Sequence, residues 1–452
     1  MACSVPVDSL LGDERPRYAN IRFREDWSEV HETSESDVFD PIKRIDLADD
    51  GGFWLGFGGQ ARTRIEAWNR LGFGAASGDS DDVFGIHRLR YHADLHATEH
   101  LRVFVEGKSS FATDRDLPGG RRNTDVDELA LQNAFVDWTL PVGSRGALTL
   151  RAGRRELLFG GQRLISPRDW SNTRLTWDGG SVIWHAPWYQ LTGFWAQRVP
   201  GEKYDFNSSD PGTQLYGLYG TGTHEWLTLD SYFLGLTNDD AVVSGTAGHE
   251  DRFTLGGRTL VQIPKTAVDV DVEGAYQWGD VGDGRVDALM IGSEFRYTFT
   301  LDYKPQVSLG FDYGSGDRSP GGGVQTWNHL FPAGRRVLGY MNLVGRQNVA
   351  STFAGGALRP LEPLTTYLRW HFFWRASRRD GLYNSGGRLV RDGALGNSRE
   401  IGSEMDLALQ WQFDRHFYAL LGYSHFFAGD FVRESGDGDD VDFGYLQLQY
   451  TF

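Results

Sequence analysis

From Phe53 onward the chain alternates between apolar and polar positions with a period of two. Phe53, Leu55, Phe57, Ala61, Ile65 and Ala67 fall on one face of an extended strand, and Gln60, Arg62, Arg64 and Glu66 on the other. Leu89, Tyr91, Ala93 and Leu95 then oppose Arg88, Arg90, His92, Asp94 and His96. After Thr98-Glu99-His100 the next run sets Leu101, Val103 and Val105 against Arg102, Glu106 and Lys108. Two long strands joined by a few residues make a hairpin. Further hairpins are predicted at 128–141 with 147–158, 252–263 with 267–279, 285–300 with 303–314, and 401–413 with 416–429. The final residues obey the same rule, with Leu446, Leu448, Tyr450 and Phe452 on one side and Gln447, Gln449 and Thr451 on the other.

The predicted links are of two kinds. Pro264-Lys265-Thr266 and Asp414-Arg415 are short, whereas 71–82, 113–127, 158–177, 238–250, 315–336, 377–400 and 430–440 are long and rich in Gly, Asp, Ser and Arg. Short turns on one rim and long loops on the other are the asymmetry of an outer-membrane barrel. The fold class is therefore all-β, a transmembrane antiparallel barrel. About 17 candidate strands, with both termini on one side, imply an even total of about 18, or about 16 as the fallback.

Composition agrees with this reading. The chain has 452 residues, with 58 Gly, 15 Trp, 18 Tyr and 28 Phe against 15 Pro and a single Cys. Its mean hydropathy is −0.42, and no apolar run is long enough for a transmembrane helix. Apolar residues spread over alternate positions leave a hydrophilic average. The lone Cys3 excludes an internal disulfide. Ala2-Cys3 resembles a lipoprotein cleavage site, but no apolar run precedes it, which favours a plain chain boundary. The net charge is −16, and the 45 basic residues divide into 40 Arg and 5 Lys. Arginine grips carboxylates through paired hydrogen bonds, so an Arg-biased lumen suits anions, although a GC-rich genome produces the same bias.

Other chemistries find little support. His87, His92, His96 and His100 have the spacing of a helical metal site, but the alternation between them is that of a strand, which puts His92 and His96 roughly 13 Å apart. The runs Asp79-Ser80-Asp81-Asp82 and Asp437 to Asp442 lack calcium-loop spacing and read as solvated turns. Gly56, Gly58 and Gly59 lead into more strand and not into a phosphate-binding helix. No nucleophile elbow is present, and the acidic balance disfavours nucleic acid. No catalytic residues, metal or cofactor are expected.

Glu25-Asp26-Trp27-Ser28 and Asp40-Pro41-Ile42-Lys43 precede the first strand, and Gly58-Gly59-Gln60-Ala61-Arg62 lies within it. Further on come Gly153-Arg154-Arg155-Glu156-Leu157, Gly160-Gly161-Gln162-Arg163-Leu164-Ile165, Asp169-Trp170, Ser315-Gly316-Asp317 and Leu330-Phe331-Pro332. Together they resemble the alginate-export family of outer-membrane barrels. The resemblance implies a monomeric barrel whose electropositive pore passes the polyuronate alginate from periplasm to exterior.

The expected organisation is a polar periplasmic arm over residues 1–50 and one barrel over residues 51–452. By parity the lumen is lined by Arg62, Arg64, Arg88, Arg90, Arg102, Arg151, Arg155, Arg258, Arg296, Arg369 and Arg375. Glu66, Asp94, Glu106, Asp137, Glu294, Glu404 and Asp406 are expected to pair with them, and Asp269, Asp271 and Glu273 make the lumen mixed in charge. Leu446, Leu448, Tyr450 and Phe452 are expected to face lipid and to act as the assembly signal. The expected partners are lipid with lipopolysaccharide, the barrel assembly machinery and an anionic polysaccharide. The expected function is passive, electrostatically guided diffusion of that polysaccharide or of smaller anions. Its rival is an outer-membrane scaffold docking an envelope complex through the arm.

Overall fold

A computed structural model describes residues 15–30, 36–49, 51–74, 80–319 and 321–452. Cys3 and Asp79 lie outside them. The main sheet has 19 strands, of which the two-residue Ile45–Asp46 only flanks the foot of the first barrel strand. The other 18 close an antiparallel barrel. In order they are Trp54–Asn69, Asp82–His96, Leu101–Thr113, Asp127–Val142, Gly146–Arg155 and Thr176–Ala186, then Tyr189–Val199, Asp210–His224, Leu227–Val243, Thr246–Gln262, Val268–Val281 and Gly284–Thr298. Gln306–Gly314, Val349–Leu361, Leu364–Arg375, Glu400–Gln412, Phe417–Ala428 and Val441–Thr451 complete the wall. Each strand pairs with its chain neighbours, and the last pairs with the first from Gln60↔Thr451 to Asn69↔Asp442. Closure leaves no open edge, as a bilayer demands of any sheet that crosses it.

The predicted alternation appears as burial. Along Trp54–Asn69 the inward Arg62, Arg64 and Glu66 are buried while Phe57, Ala61 and Ile65 are exposed. Exposed Trp138, Trp184, Trp188, Trp226, Phe299, Tyr303 and Phe413 gather near the short-turn rim, where aromatic rings suit the lipid headgroup level. The interior is filled. Leu157, Leu164, Trp177, Phe194, Leu215, Tyr232 and Trp327 form one apolar cluster, and Phe73, Leu343, Phe373, Phe426, Phe431 and Phe443 belong to another.

One loop expectation is corrected. Residues 238–250 are not a long loop, because Leu227–Val243 and Thr246–Gln262 continue past the other strands and turn at Ser244-Gly245. Both turn residues have positive φ, 50° and 81°, as a tight two-residue hairpin requires. The turn-like residues Asp239 and Asp240 sit where the register shifts between Asn238 and Ala241. A bulge inside the strand therefore imitates a loop in composition.

Residues 15–30 reach into the barrel. Phe23 packs edge-on against the inward Phe104 and Phe135, at 5.8 and 5.0 Å between ring centres. Arg22 pairs with Glu25 at 3.2 Å and donates to the Phe452 carbonyl at 2.8 Å.

The chain end closes the seam. Leu446, Leu448 and Tyr450 are exposed on the outer face. Phe452, expected to face lipid, is half-buried instead, because Phe39 of the arm stacks on it at 5.0 Å. Its amide and carbonyl pair with Gly59 at 2.9 and 2.8 Å, and its ring fills the space where a Cβ on residue 59 would lie. Deleting Phe452 removes these bonds at the strand pair that closes the barrel. The expected outcome is a lower yield of heat-modifiable barrel in outer-membrane fractions, and a normal yield would refute the role given to this residue.

Candidate functional site: an arginine wall gripping two inward loops

Register sets the problem that the lumen must solve. Arg62 on the first strand lies directly opposite Arg88 on the second, with Arg64 and Arg90 two residues away on each. Like charges facing each other across a sheet repel. Residues 156–175 resolve this by folding inward and presenting oxygen atoms to the row. Arg62 donates to the carbonyls of Asp169 at 2.7 Å and Ser171 at 3.2 Å, and Arg64 to that of Trp170 at 3.0 Å. Arg88 holds the Asp169 carboxylate at 2.8 Å and Gln60 at 3.0 Å. Arg90 meets Glu106 at 2.5 Å and Glu156 at 3.5 Å.

The loop supplies its own cation. Arg174 pairs with both Glu156 and Asp169 and donates to Asn20 of the arm at 2.7 Å. Asn172 donates to the carbonyls of His87 at 2.9 Å and Asp125 at 2.8 Å, and Ser110 donates back to the Asn172 carbonyl at 2.8 Å. Burial alone pushes the Asp169 pKa up, but Arg88, Arg174 and Arg62 together hold it well below the usual carboxylate range. The loop's backbone is strained, with positive φ at Gln162, Arg168 and Arg174. Such strain persists only where surrounding contacts impose it.

Residues 315–348 form a second inward loop that meets the first. Backbone bonds join Phe331 to Leu164 at 2.8 Å and Ser166 to Phe331 at 2.9 Å. Arg346 holds Asp312 and the Arg163 carbonyl, while Arg163 reaches Asp271 at 3.1 Å and Glu273 at 3.3 Å. His329 of this loop is kept neutral, its pKa pushed down to about 3 by burial and by Arg168 and Arg346.

A sequence profile described as Alginate export matches residues 53–444. The chain belongs to the alginate-export family. It is an integral protein of the outer membrane and a channel by family. No curated protein matches it. Among solved structures it is similar to Pseudomonas aeruginosa OpdO, with 12% identity, TM-score 0.59, and 88% of this chain and 97% of that one covered. P. aeruginosa OccK2 (OpdF), solved in complex with glucuronate, gives 13% identity and TM-score 0.59 over 92% and 99% of the two chains. Acinetobacter baumannii OccAB1 gives 11% identity and TM-score 0.59 over 91% and 99%. At such identities the likeness is one of fold.

In this alginate-export family barrel the other sequence-predicted residues sort into three groups. Several arginines meet carboxylates of the wall, on an adjacent strand for Arg102, Arg151 and Arg258, on the same strand for Arg64, and three strands away for Arg369. Arg102 grips Asp94 with two bonds of 2.7 Å, Arg151 grips Asp137 at 2.7 and 2.6 Å, and Arg64 holds Glu66 at 2.7 Å. Arg258 holds Asp271 at 2.9 Å and Asp230 at 3.3 Å, and Arg369 reaches Glu294 at 3.2 Å. A second group serves the backbone. Arg155 donates to Ser181 and the Gly180 carbonyl, while Arg375 ties together the carbonyls of Arg378, Asp380, Gly393, Gly396 and Ser398 at the long-loop rim. Arg296 is half-buried, and its Nε has no hydrogen-bond partner.

The third group is a correction. Glu404 and Asp406 form no ion pair with arginine among the described residues. They accept backbone amides of the second inward loop, Met341 at 2.9 Å and Tyr340 at 3.4 Å. Asp406 lies opposite Arg369 in register, but that guanidinium turns to Glu294 and sits over the Phe353 ring at 4.2 Å. The parity rule missed Glu156, Arg163, Asp169, Arg174, Arg335 and Arg346 because they belong to connections. The motifs from Gly153 to Trp170 contain three of them, Glu156, Arg163 and Asp169, as markers of resemblance and not as wall positions.

Proposed function

We propose that this channel passes anionic sugars, either a polyuronate or smaller uronate-like solutes, and that residues 156–175 form its gate. The observation that carries the reading is the wall of Arg62, Arg64, Arg88 and Arg90 itself. In the closed state it is satisfied by loop carbonyls and by the Asp169 and Glu156 carboxylates. Groups that hold those oxygens offer the same contacts to a solute carboxylate once the loop withdraws. A focused positive field at this section would raise the local anion concentration and weaken with salt. The similar OccK2 barrel, solved with glucuronate, supports this choice of solute class.

Replacing Arg62, Arg64 and Arg90 together by Gln tests the reading. Reversal potentials under a salt gradient are expected to move from anion preference toward none. The effect should be largest near 0.01 M salt, where the screening length is about 30 Å. An unchanged reversal potential would leave these arginines as structural partners of the loop and remove the support for anion passage.

A further inference from the structure

On its outer face the wall opens beside the strand Leu101–Thr113. From Leu101, level in register with Trp138 of the short-turn rim, this strand climbs to Phe111 by about 25 Å, at about 3.3 Å per residue and a tilt of about 40°. That is the height of the lipid-facing band, so Phe111 and Thr113 stand where the tails of the outer leaflet give way to headgroups. Here the ladder to the next strand shifts register between Lys108 and Ser110. The Glu128 amide donates instead to the Lys203 carbonyl at 3.0 Å. The strands part into a cleft of about 460 Å³, lined by Ser109, Phe111, Thr113, Arg121, Val126 and Glu128.

Polar groups face outward around it. Thr63, His87 and Phe111 form one row across three strands, with His87 bonded to Thr63 at 3.2 Å and stacked on Phe111 at 4.8 Å. Ser109 and Thr113 add hydroxyls of the same outward parity. Hydrocarbon leaves such groups unsatisfied, whereas a headgroup satisfies them. Two cations stand free beside them. Arg122 and Arg115 both pair with Asp125, at 2.8 and 3.3 Å, but Arg121 has no ion pair or hydrogen bond among the described residues. Neither has the ammonium of Lys203. The Lys203 loop is pinned beside the cleft, by Asn123 donating to the Gly201 carbonyl at 2.8 Å and Asn207 donating to Asp127 at 3.0 Å. Tyr204 and Phe206 of the same loop are largely exposed.

We propose that this cleft binds lipid A, the phosphorylated and acylated amino-sugar anchor of lipopolysaccharide. Arg121 and Lys203 take a phosphate, which suits two cations that have no acid of their own. Ser109, Thr113 and Glu128 meet the amide and hydroxyl groups of the sugar, and an acyl chain descends past Phe111. Glu128 repels a bare phosphate, so the site selects a phosphate that brings donors and a tail. The cleft lies outside the barrel and is independent of what the pore passes.

The test titrates the full chain, purified and heat-modifiable in detergent, with lipid A and counts bound lipid by native mass spectrometry. Wild type should retain one lipid A. Arg121→Gln with Lys203→Gln should bind it about tenfold more weakly, the scale of one charge-assisted hydrogen bond. Both side chains lack partners in the structure, so the double variant should keep its heat-modifiability. Lys265→Gln with Lys304→Gln removes the same charge from exposed positions on the short-turn rim and should bind lipid A as wild type does. Equal affinity in wild type and the Arg121/Lys203 variant overturns the site. An equal loss in the Lys265/Lys304 variant overturns it too, because the attraction would then be one of net charge alone. Displacement of lipid A by inorganic phosphate or by phosphatidylglycerol at equal concentration does the same, since neither carries the amino sugar.

Discussion

Excising residues 161–173 and bridging the gap with a short glycine-serine link is expected to raise single-channel conductance severalfold. The segment lies within the barrel and carries the carbonyls of Asp169, Trp170 and Ser171 that occupy Arg62, Arg64 and Arg88. Its Asn172 reaches the second, third and fourth strands or their connections through His87, Phe111 and Asp125. None of these contacts belongs to the ladder that closes the wall, so the barrel should still fold and show heat-modifiability. Excision also removes the Asp169 charge from Arg88 and Arg174. Anion preference should therefore rise together with conductance, and most at low salt. Unchanged conductance in planar bilayers would mean that the loop does not obstruct the path.

This expectation could not have been written from the sequence, and the reason is physical. Strands were legible because a wall between hydrocarbon and water forces a period of two on every crossing, so Arg62 and Ile65 declare their faces without knowledge of any partner. The inward loops obey no such rule. Arg62 finds its acceptor 107 residues away, and that acceptor is a backbone carbonyl, a group that every residue carries. Parity correctly turned Glu404 and Asp406 inward, but it could not show that Tyr340 and Met341 would arrive there before an arginine did. The loop expected over 238–250 failed for the opposite reason, because a bulge places acidic residues inside a strand where turn composition is the usual sign of a loop. Charge pairing between adjacent strands, as in Arg102 with Asp94, is local in register and was within reach of the pattern.

Glu156→Ala is expected to loosen the gate by about 3–5 kcal/mol, the usual cost of stripping a buried charge from its partners. Glu156 is 2% exposed and stands where the wall, the first inward loop and the arm meet. It pairs with Arg174 and Arg90 and accepts from Gln132 at 3.0 Å. Arg174 in turn holds Asn20 of the arm. Alanine would leave Arg174 buried with only the Asp169 carboxylate, and Arg90 with only Glu106. Glu156→Ala with Arg174→Ala should cost clearly less than the sum of the two single changes, because the stranded charge leaves with its partner. The sign of the pH effect follows from the same contacts. Burial alone raises the Glu156 pKa, but Arg174 and Arg90 bring it below its ordinary value. The stabilisation is thus complete above the unfolded pKa and fades as pH falls through the lower folded one. Protease cleavage between residues 156 and 175 and flickering of single-channel current should both increase in Glu156→Ala at neutral pH. In the wild type they should increase only on strong acidification. A Glu156→Ala channel as quiet and as protease-resistant as the wild type would show that the gate is held without this hub.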